Sequence, residues 1–222
     1  MLYPIERLNL TPPGQTMRTR TADFMDGAFP SWMTVTGTSA VASPATTVGY
    51  AQTQTSGADA NVAQFQSDLA VALGAIEAVL LEVEGFTLTE HNPVADIALR
   101  IQQSASTPGV YAIQRSTETF MRLGISGDAV GAETPTEWDV RGGGQAANNT
   151  PKNFGLLLQC RTKEMFLLDG SRRVLGYRDL ASGFATATDV RPRLSIQARS
   201  ATVKTMRIKQ YFGRHPGLRI VF

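Results

Sequence analysis

The sequence is divided into many short apolar runs, and these runs constrain the fold more than any other feature. FPSWMTVTG, VADIALRIQQS, GVYAIQRST and FGLLLQCRT are rich in β-branched, aliphatic and aromatic residues, and turn-forming residues separate them. Strand signals that recur about every 8–12 residues are typical of antiparallel sandwiches, whereas a parallel sheet needs helical segments between its strands. The pattern therefore predicts an all-β fold, an antiparallel two-sheet β-sandwich of the jelly-roll type.

One segment, DLAVALGAIEAVLLEVEGFTL, has a mixed period. Its first half spaces leucines for a helix face, and its second half alternates as a strand does. We predict a short helix or strand edge over 68–75 and a strand over 77–88. Alternation within each predicted strand gives the expected core: Trp32, Val35, Leu81, Val83, Ile97, Leu99, Ile101, Tyr111, Ile113, Leu156, Leu158, Phe166, Leu168, Leu194, Ile196, Met206 and Ile208.

The sequence predicts three parts: an extended arm over 1–22, a sandwich over 23–213 and a tail over 214–222. Prolines and a glycine oppose regular structure in the arm. We predict that the arm lies across a neighbouring subunit in a homo-oligomer or particle. The alternative is a first edge strand packed on its own sandwich. The apolar residues that would make the contact are Leu2, Tyr3, Ile5, Leu8 and Leu10.

The composition excludes several classes of site. Cys160 is the only cysteine among 222 residues, and there are two histidines, so neither a disulfide nor a cysteine-based zinc site is expected. We expect no metal and no cofactor. The first residues lack a signal-peptide pattern, and no apolar run approaches the roughly 20 residues of a membrane span. These patterns predict a protein without a membrane span, made in the cytoplasm.

The charge is unevenly distributed although its sum is only +2. The segment from 190 to 222 carries eight lysines and arginines and no acidic residue. Arg207, Lys209 and Arg214 are therefore candidates for contact with an anionic partner. The alternative is a basic strand that acidic residues offset elsewhere in the fold. We do not expect nucleic acid as a partner.

The stretch EWDVRGG contains the strongest candidate for a carbohydrate site. In a strand, Glu137 and Asp139 project to one face, and paired carboxylates can hydrolyse glycosides. Jelly-roll glucanases use a Glu-x-Asp-x-x-Glu strand, but Gly142 stands at the last position here. A solvated pair on a strand is the alternative. We assign no catalytic residue and expect a protein that is not an enzyme.

A second carboxylate, Asp169, lies in MFLLDGSRRVLGYRD. Asp-Gly between two apolar runs is a strong hairpin signal, because glycine accepts a positive φ. We therefore predict a hairpin corner at Asp169-Gly170 and no catalytic role for Asp169. A second hairpin is predicted around Ser116–Glu118.

The stretches FGLLLQCRTKEMFLLDGSRRVLGYRD and RPRLSIQARSATVKTMRIKQYF resemble the C-terminal half of a concanavalin A-like (laminin G-like) jelly roll. The overall layout resembles accessory proteins of tailed-bacteriophage virions. This resemblance implies a non-enzymatic structural or adhesive virion component, a capsid decoration or tail/fibre protein. It implies other virion proteins as partners through the arm, and a host-surface glycan. The alternative is a carbohydrate-binding or carbohydrate-degrading module. Legume-lectin calcium ligands and the glucanase carboxylate triad are not matched.

Overall fold

The computed structural model describes twelve segments of the chain, and they contain strands, turns and bends but no helix. These segments are 17–24, 26–42, 50–67, 71–72, 78–88, 95–102, 109–126, 137–140, 150–159, 164–179, 189–208 and 210–216. The strands are β1 (Met17–Ala22), β2 (Met33–Thr36), β3 (Thr38–Ala42), β4 (Tyr50–Gln54), β5 (Val62–Ser67), β6 (Val71–Ala72), β7 (Ala78–Leu88), β8 (Ala95–Gln102), β9 (Gly109–Gln114), β10 (Met121–Ser126), β11 (Glu137–Val140), β12 (Lys152–Gln159), β13 (Glu164–Asp169), β14 (Val174–Asp179), β15 (Asp189–Ala198), β16 (Thr205–Ile208) and β17 (Gln210–Pro216).

The strands form two antiparallel sheets. The larger sheet has nine strands in the order β14-β13-β12-β7-β16-β4-β3, with β17 paired to β7 and β1 paired to β17. The smaller sheet has eight strands in the order β11-β10-β9-β8-β15-β5-β2, with β6 paired to β15. Strand β7 pairs with β17 before Gly85 and with β16 after it. Gly85 has a φ of 62°, a left-handed conformation that glycine adopts without strain. The predicted all-β sandwich is confirmed.

The main core lies between the two sheets. It contains eleven of the predicted core residues, all almost fully buried: Leu81, Val83, Ile97, Leu99, Ile101, Leu156, Leu158, Leu194, Ile196, Met206 and Ile208. Trp32 and Val35 are only partly buried and pack against its margin. Complete burial of one such aliphatic side chain stabilises the fold by about 1.5–3 kcal/mol.

Four predicted core residues lie on the outer faces of the sheets. Tyr111, Ile113 and Leu168 are buried as predicted, but in smaller clusters outside the main core, and Phe166 is only partly buried. Tyr111 and Ile113 form a small cluster with Ala98 on the smaller sheet. Phe166 and Leu168 belong to a second cluster on the larger sheet. Neighbouring residues in both strands are also apolar: Val110 and Ala112 in β9, and Met165 and Leu167 in β13, occupy the main core instead. When both faces of a strand are apolar, the alternation of residues does not show which face packs in the main core.

The predicted arm ends in a strand, and one predicted boundary falls inside another strand. Residues 17–22, assigned to the arm, form β1, and β1 pairs with residues 211–216 of β17. Strand β17 also crosses the predicted boundary at 213. The partner segments are almost two hundred residues apart, so local sequence could not reveal the pairing. The arm residues Leu2, Tyr3, Ile5, Leu8 and Leu10 lie outside the described residues, and their contacts with a neighbour stay a prediction.

The segment with a mixed period is strand wherever it is described. Residues 71–72 form β6, which pairs with Asp189 and Val190 of β15. The predicted strand over 77–88 is observed as β7, which begins at Ala78. Its inner face is apolar, and Glu82 and Glu84 lie on the other face, so burial of one face selects the strand here.

Candidate functional site

The outer face of the smaller sheet carries a continuous row of mostly polar residues. Leu99 and Leu194, one position away in their strands, lie in the main core, so the row faces outward. Six strand intervals of about 4.8 Å give it a length of roughly 29 Å. This polar row comprises, in register from β2 to β11, Thr34, Gln66, Arg193, Arg100, Tyr111, Gly124 and Glu137.

At the centre of the polar row, the ring of Tyr111 lies against strand β10. Gly124 makes this approach possible, because a Cβ atom there would lie 2.3 Å from Tyr111 Cζ. Tyr111 Oη donates a hydrogen bond of 2.9 Å to Glu137 Oε1, two strands away. The Arg100 guanidinium carbon lies 5.4 Å from the ring centroid, within the range of a cation–π interaction. Tyr111 is fully buried and therefore links Arg100 to Glu137 without facing solvent itself.

Five charged side chains form a network at the β11 end of the polar row. Arg115 Nη2 lies 2.6 Å from Glu137 Oε1. Arg122 Nη2 lies 2.7 Å from Glu118 Oε1, and Arg122 Nη1 lies 2.8 Å from Asp139 Oδ1. The hydrogen bond to Glu118 is the main cause that raises the pKa of Arg122 above its usual value, and Asp139 and Glu137 add to it. We call Arg115, Glu118, Arg122, Glu137 and Asp139 the charged network.

The charged network is partly open to solvent. The Asp139 side chain is 42% exposed, Arg115 33% and Arg122 27%. Each arginine presents a planar set of N–H donors, and part of that set is held in place by a carboxylate. The network can therefore offer oriented donors and acceptors to a polar ligand.

The two sequence-predicted carboxylates lie together in this network. Glu137 is opposite Gly124 and Asp139 is opposite Arg122, so both face outward as the alternation requires. Their Cα atoms are about 6.7 Å apart along an extended strand. Gly142, which replaces the third carboxylate of the glucanase pattern, lies outside the described residues. Whether Glu137 and Asp139 contact a ligand stays a prediction.

Sequence reasoning missed the central residues of the polar row. Strand β15, DVRPRLSIQA, alternates polar residues with apolar ones, and strand β8, ADIALRIQ, does so at its end. That alternation signals a polar outer face and could have identified Arg100, Arg191 and Arg193. The alignment of Arg100 and Arg193 with Tyr111 depends on the pairing of three strands, which the sequence does not specify.

Another carboxylate on this face, Asp96, holds the end of the sheet together. It is buried, with 4% of its surface exposed. Its Oδ1 accepts a hydrogen bond of 2.7 Å from the Ser116 backbone N–H, and its Oδ2 accepts one of 2.8 Å from Arg199 Nε. The Asp96 carboxylate is buried and the Arg199 side chain is 39% exposed. Because Asp96 both pairs with Arg199 and accepts a hydrogen bond from the turn, its role is structural. This turn, closed by a hydrogen bond from Glu118 N to Arg115 O, confirms the hairpin predicted around Ser116–Glu118.

Two of the three basic residues proposed for an anionic partner, Arg207 and Arg214, lie on the larger sheet. Arg207 is exposed, its Nε donates to Gln52 Oε1 at 3.1 Å, and its guanidinium lies over the Tyr50 ring. Arg207 pairs opposite Thr87, and Arg214 opposite Leu80, so roughly 20 Å separates the two positions. Lys209 lies outside the described residues. The structure does not bring Arg207 and Arg214 into one site.

The predicted hairpin corner at Asp169 is confirmed, but its geometry differs from the expectation. Asp169 Oδ1 accepts hydrogen bonds of 2.8 Å from the backbone N–H groups of Ser171 and Arg173. The left-handed residue is Arg172, with a φ of 59°, so the predicted positive φ of Gly170 was wrong. Gly170 is required because a Cβ atom there would lie 2.5 Å from Asn153 Cβ. The loop is a turn followed by a left-handed residue, the usual three-residue hairpin.

A salt bridge holds Arg172 in its left-handed conformation. Its guanidinium forms two hydrogen bonds with Glu82 of β7, at 2.7 and 2.8 Å. These bonds are the main cause that raises the pKa of Arg172 above its usual value. A groove of about 600 Å³ lies beside this corner, and it is lined by Glu84, Gly85, Pro151, Lys152, Asn153, Asp169, Gly170 and Ser171.

The described segments contain no group of three or more His, Cys, Asp or Glu side chains placed to hold a metal ion. Within the same segments, no helix has the length and apolar character needed to cross a membrane.

Solved structures with the same β-sandwich include carbohydrate-recognition proteins. The carbohydrate recognition domain of Emp47p has a TM-score of 0.61 and 8% identity, covering 88% of this chain and 94% of its own. Apo Crh5 transglycosylase has a TM-score of 0.57 and 16% identity, covering 97% and 91%. Protein SO2946 of Shewanella oneidensis MR-1, described as of unknown function, has a TM-score of 0.61 and 15% identity, covering 100% and 98%.

These similarities concern the fold alone, because the identities are low. No protein-family model matches the sequence, and no curated protein matches it. The strand arrangement is that of concanavalin A-like and legume-lectin-like sandwiches. The chain therefore has a concanavalin A-like β-sandwich fold, as its C-terminal strands predict.

Proposed function

We propose that this protein binds a carbohydrate chain on the outer face of its smaller sheet and does not cleave it. The observation that carries the proposal is the polar row together with the charged network at its β11 end. Among solved structures with this fold, one is a carbohydrate recognition domain and another a transglycosylase. Their fold similarity supports the choice of ligand class, and the residues of this chain supply the site.

The charged network suits a polyhydroxylated ligand. A sugar hydroxyl both donates and accepts hydrogen bonds, so it is best bound between fixed donors and fixed acceptors. Arg115 and Arg122 provide N–H groups, and Asp139 provides a carboxylate whose Oδ1 lies 2.8 Å from Arg122 Nη1. Because their mutual contacts already restrict these side chains, binding loses less side-chain entropy than it would with mobile residues.

The same contacts favour binding over glycoside hydrolysis. Hydrolysis needs one carboxylic acid to protonate the leaving oxygen and a second carboxylate as nucleophile or base. Glu137 Oε1 accepts hydrogen bonds from both Tyr111 and Arg115, and Asp139 is held by Arg122. The two carboxylates thus serve to orient arginines. We propose that they contact the ligand and transfer no proton.

A glycan array followed by calorimetry tests the proposal. We expect at least one polysaccharide to bind, and no release of reducing sugar during prolonged incubation. Arg122→Met should weaken binding about 10-fold or more, because it removes charged hydrogen bonds. Arg207→Met, an exposed arginine on the other sheet, is the matched control and should bind normally. Absence of binding to any glycan, or equal loss in the two variants, would contradict the proposal.

The virion setting that the resemblance implies stays a prediction. In that setting the sandwich would be an adhesive component, and the glycan would belong to a host surface. Mass spectrometry of purified particles tests it, since a virion protein must be present in stoichiometric amounts. If the protein binds a glycan but is missing from the particles, the carbohydrate-binding proposal stands and the virion setting is wrong.

A further inference from the structure

A patch of aromatic and acidic side chains lies open to solvent at the β14 edge of the larger sheet, on its outer face. Phe166 of β13 is directly opposite Tyr177 of β14, and their ring centroids are 5.4 Å apart. Tyr177 is 48% exposed, and Phe166 is partly buried. Two positions along β14, Asp179 is directly opposite Glu164. We call Phe166, Tyr177, Glu164 and Asp179 the edge patch.

The two carboxylates of the edge patch are close to each other and to the tyrosine. Directly opposed residues of antiparallel strands have Cβ atoms about 4.5–5.5 Å apart, and like charges at this distance repel each other. No arginine or lysine of the described segments forms an ion pair with Glu164 or Asp179. Desolvation raises the pKa of Tyr177, and the charges of these two carboxylates add to that effect. The edge patch therefore combines an exposed aromatic ring with negative charge.

This combination fits an extended segment that carries an apolar residue and a cation two positions apart. An arginine is attracted both to carboxylates and to aromatic faces. Tyr177 and Asp179 both point outward from β14, and residues two positions apart in a strand are about 6.7 Å apart. A partner in an extended conformation has the same spacing between its residues i and i+2, which point to one side.

The N-terminal arm contains this pattern. In MLYPIERLNL, Ile5 and Arg7 are two positions apart, and Glu6 points to the opposite side when the segment is extended. Residues 1–16 lie outside the described residues, so their match to the edge patch is argued from spacing and charge. Arg7 supplies the positive charge that Glu164 and Asp179 lack.

The position of β1 favours the edge patch of a second copy over that of the same chain. Five strand intervals, roughly 24 Å, separate β1 from β14, in the register Thr19, Arg214, Leu80, Leu157, Phe166 and Tyr177. At Met17 the chain leaves the sheet along the strand direction, and Pro12 and Pro13 favour continued extension. The arm thus leads away from its own edge patch, and its sixteen residues can span up to about 50 Å.

We infer that the arm of a second copy docks on the edge patch, with Ile5 against Tyr177 and Arg7 beside Glu164 and Asp179. In a symmetric pair each chain gives its arm and receives the arm of the other, so the contact is complete with two copies. The edge patch is on the larger sheet and the polar row is on the smaller one. The inference is therefore independent of glycan binding.

Charge exchange in the full-length chain tests the inference. Sedimentation equilibrium measures the dissociation constant of the pair. We expect Arg7→Glu in one variant, and Glu164→Arg combined with Asp179→Arg in another, to raise it about 10-fold or more, because each variant brings like charges together. A mixture of the two variant chains should recover most of the association, because each arm then meets an edge patch of opposite charge.

Two control variants separate the edge patch from general surface effects. Glu84→Arg reverses an exposed carboxylate elsewhere on the same sheet face and should leave association unchanged. Tyr177→Ser should weaken association, whereas Val203→Ser, which removes another exposed apolar side chain, should not. Thermal unfolding checks that each variant is folded. If the variant with two substituted carboxylates is unfolded, Arg7→Glu and Tyr177→Ser decide the outcome.

Three results would overturn the inference. One is an unchanged protein that stays monomeric, and another is equal association of the edge-patch variants and their controls. The third is recovery in one chain that carries all three charge changes but not in the mixture of two chains. That result would mean that each arm binds its own sandwich.

Discussion

The substitution Gly124→Ala tests the packing that holds the polar row together. The added Cβ would lie 2.3 Å from Cζ, 2.5 Å from Oη and 2.6 Å from Cε2 of Tyr111. These distances are far below van der Waals contact, and Tyr111 is fully buried, so the ring cannot move into solvent. Overpacking of this kind costs about 1–3 kcal/mol. For a chain of this size, such a loss lowers the melting temperature by roughly 2–12 °C.

Gly57→Ala is the matched control for this substitution. Gly57 is exposed, and the nearest atom to an added Cβ is Ala201 O at 3.8 Å. Its free energy of unfolding should change little or rise slightly, since alanine restricts the unfolded chain. Both variants are compared by urea unfolding monitored by circular dichroism. Equal stability of the Gly124→Ala and Gly57→Ala proteins would refute the packing described for Tyr111.

A double-mutant cycle then assigns the cost to one contact. Tyr111→Leu removes the ring that the Cβ would meet, so Gly124→Ala should be nearly neutral in that background. The coupling free energy should match the overpacking cost of about 1–3 kcal/mol. Additive effects of the two changes would mean that the loss arises elsewhere in strand β10.

Three further predictions concern the core, the hairpin and the arm. Leu158→Ala should lower the free energy of unfolding, measured with urea, by about 2–5 kcal/mol, because Leu158 is fully buried in the main core. A loss below about 1 kcal/mol would contradict this placement. Arg172→Gly should relieve the left-handed strain but lose the salt bridge to Glu82. Asp169→Asn should barely change the free energy of unfolding, because its Oδ1 still accepts both backbone hydrogen bonds. A large loss of stability for Asp169→Asn would contradict the corner assignment. Deletion of residues 1–16, which spares β1, should leave the thermal transition unchanged and abolish assembly, measured by light scattering. If the truncated chain does not fold, residues 1–16 belong to the core of the sandwich and the assembly argument fails.

The sequence by itself determined the fold class and several local features. Short alternating runs bounded by turn residues specify strands, because only a strand buries every second side chain. The same periodicity placed Glu137 and Asp139 on one face, and Asp-Gly located the β13–β14 corner. Each of these features depends on residues within a few positions of one another. The C-terminal strands also carried enough of the pattern to indicate the concanavalin A-like fold.

The tertiary structure decided which face of each strand is inside and which residues meet across strands. Strands β9 and β13 are apolar on both faces, so only packing of the sheets could place Tyr111 and Phe166 outside. The polar row depends on the registers of seven strands from distant parts of the sequence, and register is fixed by long-range pairing. Arg100 and Arg193 are ninety-three positions apart, yet they are direct neighbours. For this reason the sequence indicated a carboxylate pair, and the three-dimensional pairing alone revealed that Arg100 and Arg193 lie in the same row as Glu137.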